Sequence, residues 1–301
     1  MKKHLEKGTL LHKVSLAPLT SWRMGGEAEL FYWPTDLNDL CQFLCRFDKH
    51  VPITWLGLGS NVLVQEGGIP GLTIMTQGVL MGMEITGQNV SAQAGVSCAQ
   101  VARFSARNGL VEGEFLAGIP GTIGGALFMN AGAFGGETWE KVTSVTTLNR
   151  QGELHRRTPD EFEIAYRSVK GLSQDEWFVS GTFELVPGDG KASLSNIKKL
   201  LAKRSETQPT GEHSCGSVFR NPPGDYAGRL IEALDLKGHG VGGVAVSEKH
   251  ANFIVNRGMG KPSDALKLIE ELKSKVKAEY GIELIAEVHV LGVALEVQAE
   301  I

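Results

Sequence analysis

Cysteine is scarce in this sequence: four residues, Cys41, Cys45, Cys98 and Cys215, in a chain of 301. They are too few and too irregularly spaced to be a disulfide framework, and a reducing compartment, the cytoplasm, suits them best. Long apolar runs are missing as well. The opening MKKHLEKGTLLHKVSLAPL has lysines but no apolar stretch of roughly 7 to 15 residues, and nothing approaches the ~18 apolar residues of a membrane span. Neither secretion nor membrane insertion is expected. Nor does one sign of charge dominate: 30 basic against 34 acidic residues leave a net charge of −4. Electrostatic capture of nucleic acid and a polybasic membrane foot are therefore not expected, and a compact ligand is the favoured partner.

What is abundant is glycine, 38 residues gathered in short blocks between segments of clear apolar periodicity. Such blocks mark loops whose backbone takes unusual angles or approaches a ligand closely. With 42% apolar residues the chain can bury a large core, divided among two or three lobes. Thr35-Asp36 precedes an amphipathic helix through Leu37, Leu40, Cys41, Leu44 and Phe47. Cys41 and Cys45 lie one turn apart on it, with no His or carboxylate cluster beside them, so buried core thiols are expected and no metal. Ile53–Leu56 reads as a strand, followed by a Gly67-Gly68 turn. Ser97 caps a helix to Asn108, with Gly109 as its left-handed terminator. Strands are expected over 142–148 and 177–185, and helices over 195–204, 226–236 and 263–280. A strand in which Leu284, Ala286, Val288 and Val290 alternate follows. Pro187-Gly188-Asp189-Gly190 is the expected domain boundary.

Two glycine blocks stand out. Gly57-Leu58-Gly59-Ser60-Asn61 follows a strand, and Gly118-Ile119-Pro120-Gly121-Thr122-Ile123-Gly124-Gly125-Ala126 is continued by Asn130 to Gly136. Neither has the Rossmann or Walker pattern. Successive bare backbone N–H groups can still wrap a pyrophosphate, with Ser60, Asn61 and Thr122 as neutral donors. Taken singly, each block reads equally well as a tight structural turn. Together, about 60 residues apart, they read as two walls of one elongated site. Gly238 to Gly243 does match G-x-G-x-x-G, but it follows a helix instead of a strand, so a cap and turn are expected there.

GLGSNVLV, GIPGTIGGALFMNAGAFGGE, YRSV, GSVFRNP, HANFIVN and AEVHVLG, in that order from about Ser21 to Gly292, closely resemble the UDP-N-acetylenolpyruvoylglucosamine reductases. The resemblance implies an α+β architecture: a two-lobed FAD-binding fold of the vanillyl-alcohol oxidase type, with a C-terminal α+β substrate domain. The FAD-binding region would span 1–188 (lobes of about 1–78 and 79–188), the substrate-binding domain 189–280, and a terminal strand over 281–301 would return to the FAD lobes. Noncovalent FAD is implied along the two glycine blocks, NADPH as reductant, and an enolpyruvyl UDP-sugar of peptidoglycan precursor synthesis as substrate. The sequence does not fix the oligomeric state, and a monomer is the favoured expectation. No His or Cys lies within 57–68 or 113–136 to anchor a flavin covalently.

Residue by residue, the resemblance places the family's catalytic arginine at Arg167, its proton-donating serine at Ser217 and its glutamate at Glu287. Asn221, His250 and Asn252 fall on substrate-binding positions. Arg167 would hold the substrate carboxylate as negative charge builds after hydride addition. Ser217 would protonate the adjacent carbon, and Glu287, expected on one strand face with Ile285 and His289, would be desolvated enough to stay protonated. Without the resemblance, these three read as a surface arginine, a loop serine and a solvent-facing glutamate. Phe134 stands where many relatives have tyrosine, and His289 where some have arginine. The short interval between Arg167 and Ser217 resembles the compact subclass that lacks an inserted tyrosine loop. Cys215 has no evident base beside it and is expected to be a bystander. A flavin oxidase of the same fold and a nucleotide-sugar-binding protein without turnover are the two alternative readings.

Overall fold

A computed structural model describes residues 6–295 of the chain. The first lobe is a four-stranded sheet. Leu10–Ser15 pairs antiparallel with Glu27–Tyr32, and Ile69–Met75 and Ile53–Leu56 follow in parallel. Helix α1, Leu37–Arg46, covers it with Leu40 and Leu44, and the Asp36 carboxylate accepts from the Asp39 N–H to cap its start. Cys41 and Cys45 flank that buried stripe, so the expectation of two core thiols fails: Cys41 is half-buried and Cys45 exposed.

The second lobe is an antiparallel sheet of five strands in the order Leu154–Arg157, Val142–Asn149, Glu176–Glu184, Asn89–Gln93 and Met83–Thr86. Helix α2, Cys98–Arg107, packs on it behind a capping box of Ser97 and Gln100, and Gly109 just beyond it is left-handed. Helix α3, Ile123–Met129, ends on a left-handed Asn130. Helix α4, Gly190–Thr207, is longer than the sequence suggested because Asp189 accepts from Lys191 and Ala192 at its first turn. Its Ile197 is buried in one core with Val101 and Phe115 of the second lobe. The turn at 187–190 is therefore a helix cap inside that lobe and not a domain boundary, and the C-terminal core begins after Thr207.

That core packs helix α5, Ala227–Ala233, and helix α6, Pro262–Tyr280, against a sheet of His213–Ser214, Ile254–Asn256, Val244–Val246 and Gly240–Val241. Helix α5 stops before Leu236, where left-handed Asp235 turns the chain. Gly242 and Gly243 make the two-residue turn between paired Val241 and Val244, which accounts for the G-x-G-x-x-G match. None of the described helices is long and apolar enough to cross a membrane.

Three ties hold the lobes together. Trp22, wholly buried in the C-terminal core, donates its indole N–H to the Ile254 carbonyl at 2.9 Å. The Ser21 hydroxyl donates to the Ser214 carbonyl at 2.7 Å. His289–Leu291 pairs in parallel with Val62–Val64 of the first lobe. This last strand is shorter than the expected alternation. Before it, residues 285–287 bond singly to residues 218–220, leaving Leu284 and Val288 buried but Val290 exposed. Residues 296–301 of the expected terminal strand lie outside the described residues.

Candidate active site

Strand Ile53–Leu56 runs straight into Gly57–Asn61, and this loop faces Gly118–Ala126 across a cavity of 590 Å³ between the lobes. All thirteen glycine-block residues expected to hold the flavin line it. Two glycines there are sterically obligatory. A Cβ on Gly57 would sit 2.5 Å from Thr122 Oγ1, and Gly59, at φ +68°, would press one against the Leu19 carbonyl at 2.8 Å. The N–H groups of Leu58, Gly59 and Ser60 donate to no protein acceptor among the described residues. Thr122 Oγ1 is buried and equally without a partner. A diphosphate with its row of oxygens supplies what these donors lack, so the walls fit a dinucleotide flavin. Trp55 and Trp177, stacked at 5.1 Å, also line the cavity, as do His289 and Phe128, ring centroids 5.8 Å apart.

Arg167, Ser217 and Glu287 line the same cavity. Arg167 sits in the two-residue turn between Glu163–Ala165 and Ser168–Lys170, at φ +54°, a left-handed angle rarely adopted by a side-chain-bearing residue. Its Nη2 donates to the Gly132 carbonyl at 3.3 Å. Asn130 steadies this turn by donating to the Ala165 carbonyl at 3.2 Å and to the Glu137 carboxylate at 2.7 Å. Ser217 lies beside Glu287 because the Glu287 N–H donates to the Val218 carbonyl at 2.7 Å and the Arg220 N–H to the Ile285 carbonyl at 2.9 Å. Asn61 completes the join, its amide donating to the Glu287 carbonyl at 3.0 Å.

Arg167 Nε and Glu287 Oε1 are 3.0 Å apart, yet the N–H is not aimed along that line, leaving Nε without a hydrogen bond. The pair attracts through charge while the Nε donor of Arg167 stays uncommitted. Burial pushes the Glu287 carboxyl above the usual carboxylate range, against the pull of the Arg167 and Arg220 guanidinium groups. Its side chain is only 10% exposed, whereas Ile285 is 61% exposed. The expectation that both share one strand face is therefore incorrect, since the chain bends there before any strand begins. Cys215 is buried, with its thiol pushed well above the ordinary range.

The three expected substrate residues do not line this cavity. Asn252 is 3% exposed, and its amide is spent on a clamp: Oδ1 accepts from the Phe219 N–H at 3.0 Å and Nδ2 donates to the Phe219 carbonyl at 2.8 Å. Asn221 accepts from the Ala227 N–H at the start of α5. His250 packs edge-on against Phe253, its Nδ1 accepting from the Asn252 N–H. Polar residues in a motif thus proved to be holding the loop that carries Ser217. Sequence reasoning had passed over Arg204, which lines the cavity and donates to the Gly118 carbonyl at 2.9 Å.

A family model described as an FAD binding domain matches residues 28–158, and one described as the UDP-N-acetylenolpyruvoylglucosamine reductase C-terminal domain matches residues 208–291. The chain is 55% identical over 288 residues to the UDP-N-acetylenolpyruvoylglucosamine reductase of Legionella pneumophila (strain Paris), covering 95% of both chains. The chain belongs to the UDP-N-acetylenolpyruvoylglucosamine reductase family. Another member, from Methylococcus capsulatus, is 55% identical over 289 residues, covering 96% of this chain and 95% of its own. The crystal structure of the reductase from Thermus caldophilus superposes with a TM-score of 0.81 at 30% identity, over 94% of this chain and 100% of that one. Family membership establishes the α+β fold with its FAD-binding domain, and FAD as the cofactor.

Proposed function

We propose that this chain reduces the enolpyruvyl group of UDP-N-acetylglucosamine enolpyruvate to the lactyl ether of UDP-N-acetylmuramate at the expense of NADPH. The observation that carries the reading is the meeting of Arg167, Ser217 and Glu287 in the cavity whose other walls are the flavin loops. FAD, when bound between these walls, would supply the hydride chemistry that links NADPH to the enolpyruvyl group.

The residues of the chain do the rest. Arg167, with donors uncommitted by Glu287, grips the substrate carboxylate and strengthens its hold as negative charge moves there, which favours the transition state over the ground state. Ser217 delivers a proton to the adjacent carbon, a transfer made downhill by the carbanionic character of the acceptor. Glu287, whose carboxyl burial pushes upward, donates a hydrogen bond to the same developing charge when it carries a proton. The bare amides of Leu58 to Ser60, with Thr122 on the facing wall, would hold the pyrophosphate of FAD. A reductase of this kind works in the cytoplasm, where NADPH and nucleotide sugars are made. Its product feeds wall building, and hence cell shape and division. The chain acts as a monomer.

Anaerobic mixing tests the reading against a flavin oxidase. NADPH should bleach the visible flavin band rapidly, and the colour should return only when the enolpyruvyl sugar is added, with a product heavier by two hydrogens. Prompt recovery in air without that sugar identifies an oxidase, and no consumption of the sugar identifies a binding protein.

A further inference from the structure

Arg220 is the one arginine near the cavity whose backbone and side chain touch both strands of the reaction centre. Its backbone N–H donates to the Ile285 carbonyl at 2.9 Å, two residues before Glu287. Its Nη2 reaches across and donates to the backbone carbonyl of Arg167 at 3.2 Å. That carbonyl belongs to a residue held at φ +54°, where a hairpin turn has no steric preference of its own to stay. The Nε of Arg220 is buried without a partner, as expected of a side chain placed for its far end instead of its own hydrogen bonds. No other side chain among the described residues donates to the Arg167 carbonyl.

Removing this brace affects two distances at once. The Arg167 turn loses the bond that fixes its carbonyl, and so the direction in which its guanidinium leaves the hairpin. Glu287 loses one of the two cations that act on its carboxyl, and His289 loses the cation that helps keep its ring neutral. Displacement of a gripping group by about 1 Å is enough to slow a reaction by roughly a hundredfold.

We propose that Arg220 is a positioning residue, a cationic strut that fixes the left-handed Arg167 turn against the Glu287 segment so that both face the enolpyruvyl carboxylate. The proposal rests on the reading of the reaction given above. It predicts a split between the half-reactions. Reduction by NADPH needs only the flavin walls, whereas reoxidation by the enolpyruvyl sugar needs Arg167 and Glu287 in register.

The test is anaerobic stopped-flow on FAD-loaded wild type, Arg220→Met, Arg220→Lys and Arg220→Gln, with the two half-reactions measured separately. Arg220→Met should slow reoxidation by about a hundredfold and NADPH reduction by less than about threefold. Arg220→Lys, which keeps a cation and a donor, should recover at least about tenfold of that loss. In an Arg167→Lys background, the further effect of Arg220→Met should shrink to a few-fold, because the two act as one unit. If Arg220→Met does not retain FAD, the comparison of Lys with Gln decides, and Lys should exceed Gln about tenfold in reoxidation alone. Equal slowing of both half-reactions, equal rates for Lys and Gln, or additive losses with Arg167→Lys would overturn the proposal. A wild type that fails to reoxidise with the sugar would instead overturn the reading of the reaction, leaving the strut without a reaction to serve.

Discussion

Among single residues, the roles proposed for Ser217 and Glu287 divide the proton chemistry, and each leaves a separate signature. Ser217→Ala removes the proposed proton donor without touching the glycine walls. NADPH reduction should be unchanged within about twofold and sugar-dependent reoxidation slowed by about 10² to 10⁴. Undiminished consumption of the sugar by that variant would show that another group supplies the proton. Glu287 makes a prediction in pH. Burial raises its folded pKa above the ordinary value of 4.5, so the native state prefers the protonated form. That preference contributes stability below the unfolded pKa and is lost as pH rises through the folded one. Glu287→Gln carries no such loss. The difference in Tm, variant minus wild type, should therefore increase as pH is raised from about 4 and then level off. A difference that is flat or falls with pH would mean that the Arg167 and Arg220 cations outweigh burial. The same burial explains how far single residues could be read in advance. Arg167, Ser217 and Glu287, named from family motifs, meet in one cavity, whereas the letter of Asn252 does not reveal that both ends of its amide are bound to Phe219.

Among elements, two short loops determine whether the site exists at all. Gly59→Ala should add about 1 kcal/mol of left-handed strain and drive its methyl against the Leu19 carbonyl. The purified variant should hold much less FAD per chain than wild type, and full occupancy would show that this wall yields. On the opposite side, the Asn252 clamp fixes the loop of Ser217. Asn252→Ala strands a buried N–H and a buried carbonyl of Phe219, which should lower stability by about 2–4 kcal/mol in urea titration. Little change there would mean that water replaces the amide. Glycine spacing and apolar periodicity made most helices and both cofactor loops readable, since those patterns are local. Helix α4 was cut short because its cap, Asp189, lies in what looked like a linker. The last strand was overextended because the pairing of residues 285–287 with 218–220 is a long-range fact that alternation cannot report. The Arg167 turn is the extreme case: nothing in Tyr166-Arg167-Ser168 announces a left-handed arginine, and the bonds that brace it come from Asn130 and from Arg220, more than fifty residues away.

Across the whole molecule, no lobe contains the site. The first lobe provides one glycine wall of the cavity, the second provides the other wall and Arg167, the C-terminal core provides Ser217, and the returning chain brings Glu287. Trp22, buried in the C-terminal core while its chain neighbours belong to the first lobe, holds the assembly shut. Arg167, Ser217 and Glu287 line the same cavity as the glycine loops, so the proposed reaction has NADPH and the enolpyruvyl sugar use it in turn. Initial-rate lines at several fixed sugar concentrations should be parallel, and excess sugar should compete with NADPH. Intersecting lines would require room for both at once. The most direct measurement of the central claim is a sequential anaerobic experiment on the purified, yellow holoprotein. Colour should be released by heat, bleached by NADPH and restored by UDP-N-acetylglucosamine enolpyruvate in wild type, and restored far more slowly in Arg167→Met. A colourless protein that gains no flavin when FAD is supplied, or Arg167→Met restoring colour as fast as wild type, would contradict it.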